Sequence, residues 1–140
     1  MKITFLETSD MHGYVYPTDY AGKHDLALGA AKVATKLKKL REKAEGVVVT
    51  IENGDFIQGS PLSYYIAQGK YSVGTLTKAI NQMNYDVQVI GNHEFNYGLE
   101  YLQAAIDSYQ APVLAANILN EAGHPYFGTA YTIIEKGGLK

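Results

Sequence analysis

The stretch Val87-Gln88-Val89-Ile90-Gly91-Asn92-His93-Glu94-Phe95 passes from an apolar run to an amide, an imidazole and a carboxylate. The run predicts a buried strand over 86–90, and Gly91 interrupts it, so the polar side chains stand at the strand tip. Two other segments end the same way. Residues 3–8 lead into Asp10-Met11-His12-Gly13, and residues 47–51 exit through Glu52-Asn53 into Gly54-Asp55. Three strand tips that carry ligating side chains predict one shared site.

Between these strands the pattern is helical. Over 26–43, Ala30, Val33, Leu37 and Leu40 recur at helical spacing, while Lys32, Lys36, Lys38, Lys39 and Arg41 form a solvated face. Ser60-Pro61 is a start signal for a short helix, with Ser as N-cap and Pro in the first turn. Val73, Leu76, Ile80 and Met83 mark another helix, and Leu99, Leu102, Ile106 and Tyr109 a further one. Residues 112–116 and 131–135 read as two more strands. Alternating strands and helices define an α/β fold with a largely parallel sheet and ligands at strand C-terminal ends.

The chemistry of the tips follows from their donor atoms. In extended chain Asp10 and His12, two positions apart, point the same way. A carboxylate with a neutral imidazole suits Mn, Zn or Fe, whereas Ca and Mg favour oxygen alone. Asp55 can offer one oxygen to each of two ions, a recurring device of phosphoryl chemistry. Asn92 and His93 are neighbours, which extended chain sends to opposite sides. That assigns Asn92 to the metal and leaves His93 to act on substrate, by hydrogen-bonding a developing oxyanion or protonating a leaving oxygen.

The three blocks Asp10-x-His12, Gly54-Asp55 and Gly91-Asn92-His93-Glu94 resemble the signature of the calcineurin-like metallophosphoesterases. The longer stretches Thr8 to Gly13, Asn53 to Pro61 and Gly91 to Gly98 resemble the branch of 5′-nucleotidases and cyclic-nucleotide phosphodiesterases. That branch usually reads Gly-Asn-His-Glu-Phe-Asp, with the Asp orienting and charging the catalytic histidine. Asn96 stands there instead, able to hydrogen-bond an imidazole but not to stabilise its cation by charge. With Gln58-Gly59-Ser60-Pro61-Leu62, this looks like the 2′,3′-cyclic-nucleotide 2′-phosphodiesterase and 3′-nucleotidase subgroup.

The resemblance implies a nucleotide substrate and two divalent metal ions. Asp10 and His12 would bind the first metal, Asp55 would bridge, Asn92 would bind the second, and His93 would serve catalysis. Glu94 would orient His93 or cap the following turn. The resemblance further implies a full domain that is a β-sandwich flanked by helices. The family's remaining metal-binding histidines lie in a Gly-His-x-His segment, which residues 1–140 do not contain; His24 and His124 lie in turn-like contexts and do not replace it. Residues 1–140 are therefore expected to be the N-terminal portion of a metallophosphoesterase catalytic domain, with its C-terminal half and a nucleoside-binding domain lying elsewhere. The competing expectations are 5′-nucleotidase or nucleotide-sugar hydrolysis at the same centre, and a non-catalytic segment whose metal site is incomplete.

Composition narrows the partners. The 46% apolar content suffices for a core, and the net charge of −2 supplies no basic field for duplex nucleic acid. The absence of cysteine excludes disulfides and thiolate ligands. No apolar stretch resembles a signal peptide or membrane span. Related enzymes are often exported to the periplasm, cell wall or medium, so a signal would lie upstream or have been removed.

Overall fold

A computed structural model describes residues 2–22 and 24–140. It contains strands β1 (Ile3–Thr8), β2 (Val47–Glu52), β3 (Val87–Val89) and β4 (Val113–Leu114), and helices α1 (Ala30–Lys43), α2 (Pro61–Tyr65), α3 (Gly74–Asn81) and α4 (Leu99–Ser108). A π-helical turn, Ile66–Lys70, extends α2, and a 3-10 turn, His93–Phe95, follows β3. The strands form one sheet in the order β1-β2-β3-β4. All three pairings are parallel, with Thr8 opposite Glu52, Glu52 opposite Gln88, and Gln88 opposite Val113. This register places the C-terminal ends of β1, β2 and β3 side by side, as the alternating pattern predicted.

The core lies on the helix-covered side of the sheet. Leu37, Leu76, Ile80 and Leu102 from the helices pack with Met83, Phe56 and Ile57, and Leu6 of β1 packs against them. On the other side of β1, Ile3 and Phe5 are 43% and 65% exposed.

Four sequence expectations are resolved locally. Ser60 caps α2 as predicted: its hydroxyl accepts the Ser63 N–H at 3.0 Å, and Pro61 occupies the first turn. Helix α1 starts at Ala30 rather than 26, because Gly29 adopts φ +97 and residues 26–31 bond to an earlier loop, with Leu26 N–H on Pro17 O and Ala30 N–H on Tyr14 O. Arg41 does not belong to the solvated face of that helix. Its guanidinium donates to Thr50 Oγ1 and Asn84 O at 3.0 and 2.9 Å.

The run 131–135 does not form a strand. Its exposure alternates as a strand's does, with Tyr131, Ile133 and Glu135 outward and Thr132 and Ile134 partly covered, the latter two beside Ile3, Phe5, Val47 and Val49. Among the described residues it has no neighbouring strand to complete a ladder, and pairing rather than alternation defines a strand.

Candidate metal centre

The loops after β1 and β2 continue the contact between those strands. Asn53 N–H bonds Thr8 O, Asp10 N–H bonds Gly54 O at 3.0 Å, and His12 N–H bonds Asp55 O at 2.8 Å. These loops are not extended. Asp10, His12 and Asp55 have φ of 56, 48 and 61, a left-handed conformation uncommon for residues with a side chain and enriched at functional sites. The predicted approach of Asp10 to His12 is present, with Asp10 Oδ1 3.8 Å from His12 Nε2. Its cause is the turn, not the alternation of an extended strand.

The argument for placing Asn92 and His93 on opposite sides also fails, because Asn92 is in right-handed helical conformation and His93 begins a 3-10 turn. The turn carries the His93 ring to His12, with centroids 5.1 Å apart in an edge-to-face arrangement. One ligand atom from each of His12, Asp55 and His93 lies within 4.8 Å of the others. The backbone N–H of His93 also donates to Asp55 Oδ1 at 2.7 Å. Asn92 is exposed, and its carbonyl accepts the Phe95 N–H at 3.4 Å.

His12 and Asp55 offer an imidazole and a carboxylate that fit a divalent transition metal, with the His93 imidazole close beside them. The Gln58 carbonyl lies 3.0 Å from His12 Nδ1 and fixes a proton there, which leaves Nε2 with the lone pair a metal needs. Asn96 Nδ2 lies 3.4 Å from His93 Nδ1, the pairing expected from the sequence.

Glu94 neither orients His93 nor caps the next turn. It is 3% exposed, and its carboxylate accepts the backbone N–H groups of Asp55 at 2.7 Å, Phe56 at 2.6 Å, Ile57 at 3.3 Å and Gly91 at 2.8 Å. It therefore joins the loop that carries Asp55 to the loop that carries His93. Nothing in the sequence distinguishes this role, because the bonds are to main-chain donors, those of residues 55–57 being distant along the chain.

Glu52 lies beneath the same loops. Burial pushes its carboxyl up to about 8 against the lowering effect of the Gly54 N–H, and the carboxylates of Glu94, Asp55 and Asp10 push it further. Tyr85, whose hydroxyl bonds Thr8 Oγ1 at 2.6 Å, is pushed up to about 12 by burial, and Tyr109 is raised by burial and by Glu52 and Glu94. No helix among the described residues is long and apolar enough to cross a membrane.

A parallel sheet whose strand tips gather two histidines and an aspartate is the framework of a metal-dependent hydrolase. The chain belongs to the calcineurin-like phosphoesterase family, which it matches over residues 3–140.

Among its relatives, the 2′,3′-cyclic-nucleotide 2′-phosphodiesterase/3′-nucleotidase of Haemophilus influenzae is 37% identical across 97% of this chain and 21% of that protein. Of solved structures, calcineurin-like phosphoesterase YfkN from Bacillus subtilis superimposes with a TM-score of 0.81 at 31% identity, over 96% of this chain and 42% of the other. A putative 5′-nucleotidase from Staphylococcus aureus gives 0.77 at 37% identity, over 82% of this chain and 22% of the other. The chain spans about a fifth of the length of the curated relatives it matches.

Proposed function

We propose that this chain carries the N-terminal part of a two-metal centre that hydrolyses 2′,3′-cyclic nucleotides to 3′-nucleotides and these to nucleoside and phosphate. The observation that carries the reading is the convergence of His12, Asp55 and His93 within 4.8 Å at the ends of adjacent parallel strands. In this reading Asp10, His12, Asp55 and Asn92 hold the metals, Mn, Zn or Fe, with Asp55 shared. Bound divalent ions supply an activated water and offset charge on the phosphoryl group. The remaining ligands and the nucleoside contacts come from chain beyond residue 140, as the fraction of each relative that is matched supports. Export from the cytoplasm belongs to the same reading.

The chain's own residues hold and orient. Gln58 selects the tautomer of His12, and Glu94 sets the loop of Asp55. His93 presents an imidazole beside them, to donate a hydrogen bond to a phosphoryl oxygen or a proton to the departing ribose oxygen. Asn96 fixes that ring without adding charge. The likeness to the Haemophilus influenzae enzyme supports the cyclic substrate, while the Staphylococcus aureus structure favours a second reading, 5′-nucleotide hydrolysis at the same centre.

Turnover of 2′,3′-cyclic AMP, 3′-AMP and 5′-AMP with Mn²⁺ separates the two. The first two are expected to exceed the third by at least tenfold, with all activity lost in chelator. Preference for 5′-AMP would select the second reading, and turnover in chelator would end both.

A further inference from the structure

Glu52 ends β2 on the helix-covered side and is 1% exposed, yet it is not among the residues the motifs single out. One of its oxygens, Oε2, accepts the Gly54 N–H at 3.2 Å; the other, Oε1, has no hydrogen-bond partner among the described residues. Opposite it in register stands Gln88, equally buried, with neither end of its side-chain amide bonded among the described residues. An unpartnered polar atom in the interior is costly, and an apolar side chain here would avoid the cost. A role other than packing accounts for the carboxyl group.

That role is legible in what the Gly54 peptide does. Gly54 adopts φ +87, and a Cβ on it would run into the Gly91 backbone, so the chain turns here with no room to spare. Its N–H is taken by Glu52, and its carbonyl accepts the Asp10 N–H at 3.0 Å. The next residue is Asp55. One residue, held at both ends, thus separates two of the proposed metal ligands.

We propose that Glu52 is a positioning residue for the metal centre, fixing the Gly54 turn and through it the placement of Asp10 relative to Asp55. The role requires an acceptor at the Glu52 oxygen and no negative charge. It rests on the metal-centre reading above.

The test is Mn²⁺ titration calorimetry on the protein extended beyond residue 140 to include the remaining ligands, at a temperature where thermal unfolding in chelator shows each variant folded. Glu52→Gln keeps the acceptor and is expected to bind Mn²⁺ within about threefold of the wild type. Glu52→Leu, which loses the acceptor but not the bulk, is expected to bind at least tenfold more weakly while folded. A folded Leu variant that binds like the wild type overturns the proposal, as does a Gln variant as weak as Leu, because the charge would then be what matters.

If Glu52→Leu does not fold, Glu52→Met takes its place, an unbranched apolar side chain of similar length with no oxygen acceptor for Gly54. Tenfold weaker binding by a folded Met variant supports the role, and unchanged binding overturns it. A wild-type protein extended beyond residue 140 that takes up no Mn²⁺ overturns the metal-centre reading itself, an outcome distinct from failure of the Glu52 role alone.

Discussion

Glu94 Oε2 accepts the backbone N–H of Asp55 at 2.7 Å and that of Gly91 at 2.8 Å, so one oxygen closes two loops that leave different strands. Its other oxygen takes Phe56 and Ile57. A carboxylate accepts at every lone pair, whereas a glutamine amide turns one end into a donor that faces other donors. Glu94→Gln is therefore expected to destabilise the metal-free chain by about 2–3 kcal/mol, the scale for buried donors left without an acceptor. Urea unfolding in chelator measures it, and a loss under about 0.5 kcal/mol, the size of an ordinary surface substitution, would rule out the clamp.

Gly91 and Gly74 make a matched pair for testing how tightly the loops are packed. A Cβ on Gly91 would fall against Asp55 Oδ1 and the Asp55 amide, both of them already held in place. Gly91→Ala should cost about 1–3 kcal/mol, the range for overpacking, and weaken Mn²⁺ binding by tenfold or more. Gly74 opens α3, has no positive φ, and a Cβ there meets nothing closer than Ser72 Oγ at 3.4 Å. Gly74→Ala should be neutral or stabilising by up to about 1 kcal/mol through reduced freedom of the unfolded chain. Equal effects at the two glycines would contradict the close approach of the loops.

The contrast shows what a sequence does and does not disclose here. Strands β1, β2 and β3 and the cap at Ser60 were legible because apolar period and Ser-Pro chemistry are local signals. The candidate residues that the fold brings together, His12, Asp55 and His93, were legible as types, since they sit at run ends. Their geometry was not, because left-handed turns at Asp10, His12 and Asp55 replace the extended chain that period-two reasoning assumes. The bonds of Glu94 to the 55–57 backbone, of Glu52 to Gly54 and of His12 to Gln58 O were hidden for another reason. Main-chain partners carry no side-chain signature, and which loop comes near is decided by the sheet register.

The buried carboxyl of Glu52 gives stability a pH dependence that a glutamine removes. In the folded chain it is raised to about 8 from 4.5. The folded state therefore holds a proton that the unfolded state has released. Its stabilising effect is full below about pH 4.5, declines as pH rises and is lost once pH passes about 8. Glu52→Gln does not titrate, so in chelator it should gain on the wild type by a few kcal/mol between these limits, at most about 1.4 kcal/mol per pH unit. Urea midpoints at pH 5, 6, 7 and 8 follow the difference, and a gap that stays constant over that range would show that Glu52 is ionised throughout.

The open side of the sheet yields the last prediction. Ile3 and Phe5 project from β1, Val47 and Val49 stand beside them on β2, and the unpaired run 131–135 lays Thr132 and Ile134 over part of this surface. A sheet face lined with Ile, Phe and Val is built to be covered. Phe5 nevertheless retains 65% of its exposure, so little of its apolar area contributes to folding in residues 1–140. Phe5→Thr puts a β-branched residue of good strand propensity in place of the aromatic one and removes the exposed ring. It should change unfolding free energy by less than about 1 kcal/mol, since the ring is mostly in water already. The same substitution should lower self-association in sedimentation velocity, because copies that meet through this face lose its largest apolar group. If chain beyond residue 140 covers the face, Phe5→Thr in that longer protein should instead cost about 3–5 kcal/mol, the scale for truncating a buried aromatic ring. A small cost in both lengths of chain would mean that the face stays open to solvent and that the second layer of the sandwich lies elsewhere.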